Sequence, residues 1–130
     1  MKIVLPIYHT ITRKTKSDKK FLVGLNWYLN SFHHERNMVK HYFHTLVENQ
    51  VTNEVFDKCT IHYDIYTKKI TDGGNVRSTI EKFVLDGLKQ VGVIKDDNVT
   101  VVVGDSSRYY AVKDNFRCEI TIKGIQDDRF

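Results

Sequence analysis

Proline occurs once in 130 residues, at Pro6, and glycine only 7 times. The chain therefore has no Pro/Gly-rich linker and no low-complexity stretch, and it reads as one domain over residues 1–130. Cysteine occurs twice, as Cys59 and Cys118, each in an alternating, strand-like run and without a CxxC spacing. These thiols read as small buried hydrophobes. No secretory signal precedes them, so a reducing, cytoplasmic setting is expected. No stretch approaches the roughly 20 apolar residues that a membrane-crossing helix needs, and no internal repeat is visible. An acidic excess is also lacking: the net charge is +4 and the pI about 9.0. A mildly basic small domain is compatible with a nucleic-acid partner without proving one. With 41% hydrophobic and 28% charged residues, the chain has enough apolar content to fold around a core.

What is present falls into alternating elements. Residues 2–8, "KIVLPIY", form a short apolar run that predicts a first strand, with Pro6 marking an edge position or a strand end. "TRKTKSDKK" then sets Arg13, Lys14, Lys16, Lys19 and Lys20 against the single acid Asp18. It reads either as a solvated loop or as a flexible arm on a phosphate backbone. Gly24, Asn26, Asn30 and Ser31 break any long element, and Ser31 is a candidate cap for the next helix. From about Phe32 to Gln50, Val39, Tyr42, Phe43, Leu46 and Val47 recur at helical spacing. His33, His34, His41 and His44 share this region; they read as polar helix positions, with a metal pair at His41 and His44 as the alternative.

"KCTIHYDIYTKK" predicts a strand with Thr60, His62, Asp64 and Tyr66 on one face and Cys59, Ile61, Tyr63 and Ile65 on the other. A helix over about Val76–Val91 follows, with Val76, Ile80, Phe83, Val84, Leu88 and Val91 in one arc. Asn75, Thr79, Lys82 and Asp86 lie on a second stripe, where Lys82 and Asp86 are spaced to pair. Strands are predicted at about Val99–Val103 and Phe116–Lys123. The order β, loop, α, β, α, β, β defines an α/β or α+β single domain, with two main helices packed on a mixed sheet.

Carboxylates stand at both ends of the central helix: Asp72 before it, Asp96 and Asp97 after it. If the flanking strands are sheet neighbours, these acids could converge at one edge. Clustered carboxylates repel unless a cation neutralises them, and Mg²⁺ takes a few carboxylate oxygens while keeping several waters. Such an ion can polarise a phosphodiester, and a nearby ammonium such as Lys82 can neutralise developing charge. The plainer reading makes Asp72 a helix cap and Asp96–Asp97–Asn98 a turn.

Asp72 and Asn75, then Lys82, Asp86 and Leu88, then Gly92, then Asp96–Asp97 before a strand, form a pattern that resembles the RusA-like family of Holliday junction resolvases, small endodeoxyribonucleases common in phages and prophages. An N-terminal "LP" strand, a basic loop and a closing "RCEITI" strand fit the same family. The resemblance covers most of the chain, although its specific part is about thirty residues. It implies a homodimer and a Mg²⁺ (or Mn²⁺)-dependent, structure-specific endonuclease acting on Holliday junctions or other branched DNA. Asp72 and Asp97 would be metal-binding carboxylates, Lys82 the catalytic lysine, and Asp96 and Asn75 their supports. Arg13, Lys14, Lys16, Lys19, Lys20, Lys68 and Lys69 would contact phosphates. The cytoplasm of a phage's host is the implied location.

Two positions depart from the family's pattern. Gly74 stands where a second carboxylate is usual, and about four extra residues separate Asn75 from Lys82. Asp64 on the preceding strand is the candidate replacement acid. The alternative function is a non-catalytic relative that binds branched DNA.

Overall fold

The strand Cys59–Thr67 (β4) alternates buried and half-buried residues along its whole length. A strand does so when only one face meets a core. Cys59, Ile61, Tyr63 and Ile65 are the buried set and Thr60, His62, Asp64 and Tyr66 the other, as the sequence alternation predicts. The structure, a computed structural model, describes residues 1–126.

β4 lies inside a four-stranded sheet ordered β1-β6-β4-β5, where β1 is Lys2–Pro6, β5 is Val102–Ala111 and β6 is Arg117–Gly124. β6 runs antiparallel to both β1 and β4, whereas β5 is parallel to β4. A parallel pair needs a crossover, and the helix Gly73–Gln90 (α3) supplies it. The molecule is thus α+β with a mixed sheet, as expected. Strands β1, β4 and β5 point the same way, so their C-terminal ends share one edge. Arg117 pairs with Pro6 on one side and Tyr66 on the other, and Ala111 stands opposite Thr67.

Pro6 ends β1 on the border of the sheet, where its missing N–H does least harm. Gln50 covers part of that border. Its Oε1 accepts from the Val4 N–H (2.8 Å) and its Nε2 donates to the Val4 carbonyl (2.9 Å), satisfying groups that would otherwise invite another strand. Beyond Pro6 the chain forms a hairpin that the sequence reading missed: Tyr8–Ile11 (β2) pairs with Lys19–Leu22 (β3). The expected basic loop is the tip of that hairpin.

A short helix, Leu25–Asn30 (α1), precedes the long helix His33–Glu48 (α2). Ser31 does not cap α2 as expected. It closes α1, its hydroxyl donating to the Tyr28 carbonyl (3.3 Å), and Phe32 stands at the α2 N-cap without a side-chain bond. The two helices are so close in sequence that the unpaired carbonyls of the first claim the residue.

All three helices lie on one face of the sheet. Val39, Phe43 and Val47 of α2 and Val76, Ile80, Phe83, Val84 and Leu88 of α3 are buried there, and the Phe43 and Phe83 rings stack at 5.3 Å. Thr79, expected on the outer stripe, is fully buried. The reason is α1, which packs over this side of α3 with Trp27 and Tyr28 each 6.4 Å from Phe83.

The strand expected at Val99–Val103 begins at Val102 and runs to Ala111. Asn98 draws the preceding residues into a turn, its Oδ1 accepting from the Thr100 N–H at 3.0 Å. "GDSSRYYA" looks too polar for a strand. It is one because it borders the sheet, and because Asp105 meets Arg77 of α3 (3.1 Å) in place of an apolar contact.

Candidate functional site

The parallel pairing of β4 and β5 decides where the carboxylates go. Asp72 follows the end of β4 in a 3₁₀ turn, Ile70–Asp72, and Asp96–Asp97 precede the start of β5. For parallel neighbours these are opposite ends of the sheet. Cys59 and Thr67, opposite Val102 and Ala111, are eight residues apart, about 26 Å at 3.3 Å per residue. The strands are neighbours, which was the condition for convergence, but Asp72 and Asp96–Asp97 do not meet at one edge. Asp72, Asp96 and Asp97 therefore do not form one ligand set, and they do not fit a single shared Mg²⁺ or Mn²⁺. Among the described residues no group of three or more His, Cys, Asp or Glu side chains is placed to hold an ion.

Asp72 stands at the N-cap of α3 but makes no side-chain cap bond. Gly73, next to it, packs so tightly on Tyr109 of β5 that a Cβ there would collide with the ring. A Cβ on Gly74 would meet nothing within 4 Å, so space for the missing acid exists. Asp64 does not fill it. Asp64 lies on the helix-free face of the sheet, where His62 Nε2 (3.0 Å) and the Tyr110 hydroxyl (3.2 Å) engage its Oδ1.

Asp97 and Lys82 do line one cleft. The segment after α3 turns back along the helix, so that Asp97 joins Tyr28, Ser78, Glu81, Lys82, Leu85 and Asp86 around a cleft of about 540 Å³. The α3 members recur at i, i+3, i+4, i+7 and i+8, the outer stripe of a helix. Lys82 Nζ lies 5.3 Å from the centre of the Tyr28 ring, and the Arg36 guanidinium 5.4 Å from it. Asp86 pairs with Lys40 of α2 (3.5 Å), not with Lys82. Glu81 pairs with Arg77 (3.5 Å). Asp97 makes no ion pair among the described residues. Asp96 accepts the Asp97 backbone N–H (2.7 Å), and this bond holds its carboxyl below the usual carboxylate value. That is the turn geometry of the plainer reading. Asn75 is occupied as well: its Oδ1 accepts the Leu25 N–H (2.7 Å) at the start of α1, where Gly24 has no side chain to do so. His41 and His44 border a separate cleft with Glu48 and Gln90.

The cations gather elsewhere. The β2–β3 hairpin, the segment after β4 and the segment after β5 all leave from the shared C-terminal edge of β1, β4 and β5. Arg13, Lys14 and Lys16 sit at the hairpin tip, Lys20 on its second strand, Lys68 and Lys69 after β4, and Lys113 after β5; all are exposed. The Tyr8 and Phe116 rings, 5.8 Å apart, join the hairpin to the segment before β6. None of these seven cations is in an ion pair among the described residues. Lys19 is the exception in the predicted arm: it is half-buried and held by Glu35 (3.2 Å). Lys113 was not anticipated, because the run before it is too polar to read as a strand that ends there. Arg77 was also missed. Burial opposes its charge, but its bond to Asp105 and the nearby Glu81 outweigh this and keep it protonated.

No helix among the described residues is long and apolar enough to cross a membrane. In comparisons with known proteins, no family model and no curated protein matches the chain.

Proposed function

We propose that the chain binds DNA, of the branched kind that its resemblance to junction resolvases implies, with the phosphates along the C-terminal edge of the sheet. One observation supports this reading: three separate segments that leave this edge carry Arg13, Lys14, Lys16, Lys20, Lys68, Lys69 and Lys113, exposed, in no ion pair among the described residues, and outnumbering the exposed acids Asp18 and Asp114 there. Each cation that neutralises a phosphate releases counterions, so affinity from such an edge falls steeply with salt. A homodimer would present two such edges to the arms of a junction, and a cytoplasmic location goes with this partner.

A second reading, the structure-specific endonuclease, is favoured by the shared cleft of Lys82 and Asp97. An ammonium that lines a cleft with a carboxylate can neutralise the charge that builds on a phosphodiester bound there. The divalent ion belongs to this reading alone.

One experiment separates the two. A labelled four-way junction is incubated with wild type, Asp97→Asn and Lys14→Glu/Lys16→Glu, with Mg²⁺ or Mn²⁺ for cleavage and Ca²⁺ for binding. The double variant should weaken binding and flatten the salt dependence by about 2 units of slope. Paired nicks lost in Asp97→Asn, with binding intact, would establish the endonuclease. Binding without nicks would leave a junction-binding protein, and no junction or duplex binding at moderate salt would overturn both readings.

A further inference from the structure

We propose that the helix-free face of the main sheet holds an unpaired base of single-stranded DNA against Tyr110, as the last member of a stacked column. This rests on the DNA partner proposed above and names the part of it that this face takes.

Three side chains stand in one row across three strands. Arg117 on β6 is opposite Tyr66 on β4, and Tyr66 is opposite Tyr110 on β5. The spacing of neighbouring strands, about 4.8 Å, is close to a stacking distance. The row uses it: the Arg117 guanidinium is 3.8 Å from the centre of the Tyr66 ring, and the Tyr66 and Tyr110 rings are 4.6 Å apart and within 10° of parallel.

The two outer members are fixed from the side. Arg117 donates to Glu119 (2.6 Å) and to the Asn115 carbonyl (2.9 Å). Tyr110 donates to Asp64, which is bonded to His62, whose other ring nitrogen lies 2.6 Å from Ser106 Oγ. The rings are already ordered, so a ligand that joins them loses little further conformational freedom.

β5 is the last strand of the sheet, so no strand lies beyond Tyr110 to take the outer side of its ring. A nucleobase is the planar partner that extends such a column, and every base offers a π face. In a duplex those faces are already stacked, which selects a single strand. Charge selects the same occupant. The carboxylates of this face are engaged, Glu119 by Lys2 (2.7 Å) and Arg117, Asp64 by His62 and Tyr110. Arg108, two residues before Tyr110 and on the same face, is exposed and makes no ion pair among the described residues. Lys113 follows just past the strand. A phosphate chain crossing there meets cations, whereas a second copy of this face would bring Arg108 against a surface whose acids are taken.

The test uses the whole chain with a labelled 15-mer oligothymidine, the same strand carrying one 2-aminopurine, oligouridine of equal length, and a 15-bp duplex. Tyr110→Ala should weaken single-strand binding by about five- to a hundredfold and abolish the stacking quench of 2-aminopurine. Tyr110→Phe should keep both. Duplex binding should be unchanged in Tyr110→Ala and reduced in Lys14→Glu/Lys16→Glu. Tyr110→Leu, which keeps bulk but has no π face, serves if the alanine variant melts early. Wild-type single-strand affinity in a folded Tyr110→Leu overturns the inference. So does a change only in oligomeric state, which would make the face a contact between copies. Tighter binding to oligouridine overturns the DNA assignment. Failure to bind duplex or junction, with Tyr110-dependent single-strand binding retained, sinks the edge reading and leaves this one standing.

Discussion

Replacing Glu35 by alanine should destabilise the fold by about 2–3 kcal/mol, although Glu35 lies on the first turn of a helix and belongs to no core. Its carboxylate ties three elements together. Oε2 accepts the indole N–H of Trp27 on α1 (2.8 Å), and both oxygens lie 3.2 Å from Lys19 Nζ on β3. A hydrogen bond to a charged acceptor contributes about 1.5–3 kcal/mol net. The Lys19 pair, with the lysine side chain 40% exposed, adds no more than about 1 kcal/mol. Glu35→Gln keeps an acceptor for the indole and removes only the charge, so its cost should be about 1 kcal/mol. Burial opposes the charged carboxylate, but the bonds from Trp27 and Lys19 outweigh it and hold the group below the usual glutamate value. A folded value that is lowered stabilises above the unfolded value and loses that contribution as pH falls through the folded one. The gap between wild type and Glu35→Gln should therefore be full at pH 7 and shrink below about pH 4. Trp27 is the only tryptophan, so urea titrations followed by its fluorescence read the site itself. A loss under about 0.5 kcal/mol in Glu35→Ala, or an equal gap at pH 3 and pH 7, would refute the reasoning.

Other substitutions test other parts of the architecture. Asn75→Ala should cost about 1–2 kcal/mol and speed amide exchange at Leu25, while Asn75→Asp, which keeps the acceptor, stays near wild type; equal exchange in both would remove the helix-start role. Gly74→Asp should raise stability by about 1 kcal/mol, because it replaces an exposed helical glycine and puts an acid in the first turn of α3. Gly73→Ala should cost about 1–3 kcal/mol through its collision with Tyr109, so thermal melts that rank these two glycine variants the other way would contradict the packing. Burial pushes the Cys118 thiol up to about 12 and raises Cys59 as well. Neither should react with a disulfide reagent at pH 8 faster than the chain unfolds, and an immediate two-thiol burst would show that these strands are open.

The sequence alone determined what depends on periodicity. The two-residue alternation of Cys59–Thr67 set which side chains enter the core, and the apolar arc of Val76–Leu88 set which side of α3 does so. Both patterns come from backbone geometry and need no partner to be read. Pro6 marked a strand end for the same local reason. Where the chain crowds several claims onto one residue, local reading failed. Ser31 serves the helix behind it, Thr79 is covered by a six-residue helix too short to stand out, and "GDSSRYYA" is a strand only because it pairs at a sheet border with Arg77 facing it. The site depended on the direction of one strand. Whether Asp72 and Asp97 meet turns on β5 lying parallel or antiparallel to β4; the helix between them supplies the crossover of a parallel pair, but only the sheet shows that the two strands are neighbours. The parallel β4–β5 pair parted those acids and set Tyr110 beside Tyr66, and the antiparallel β4–β6 pair set Arg117, 51 residues away in the chain, on the other side of Tyr66. Such contacts arise only from tertiary registration, because a strand specifies which face its side chains occupy but not which neighbour stands beside them.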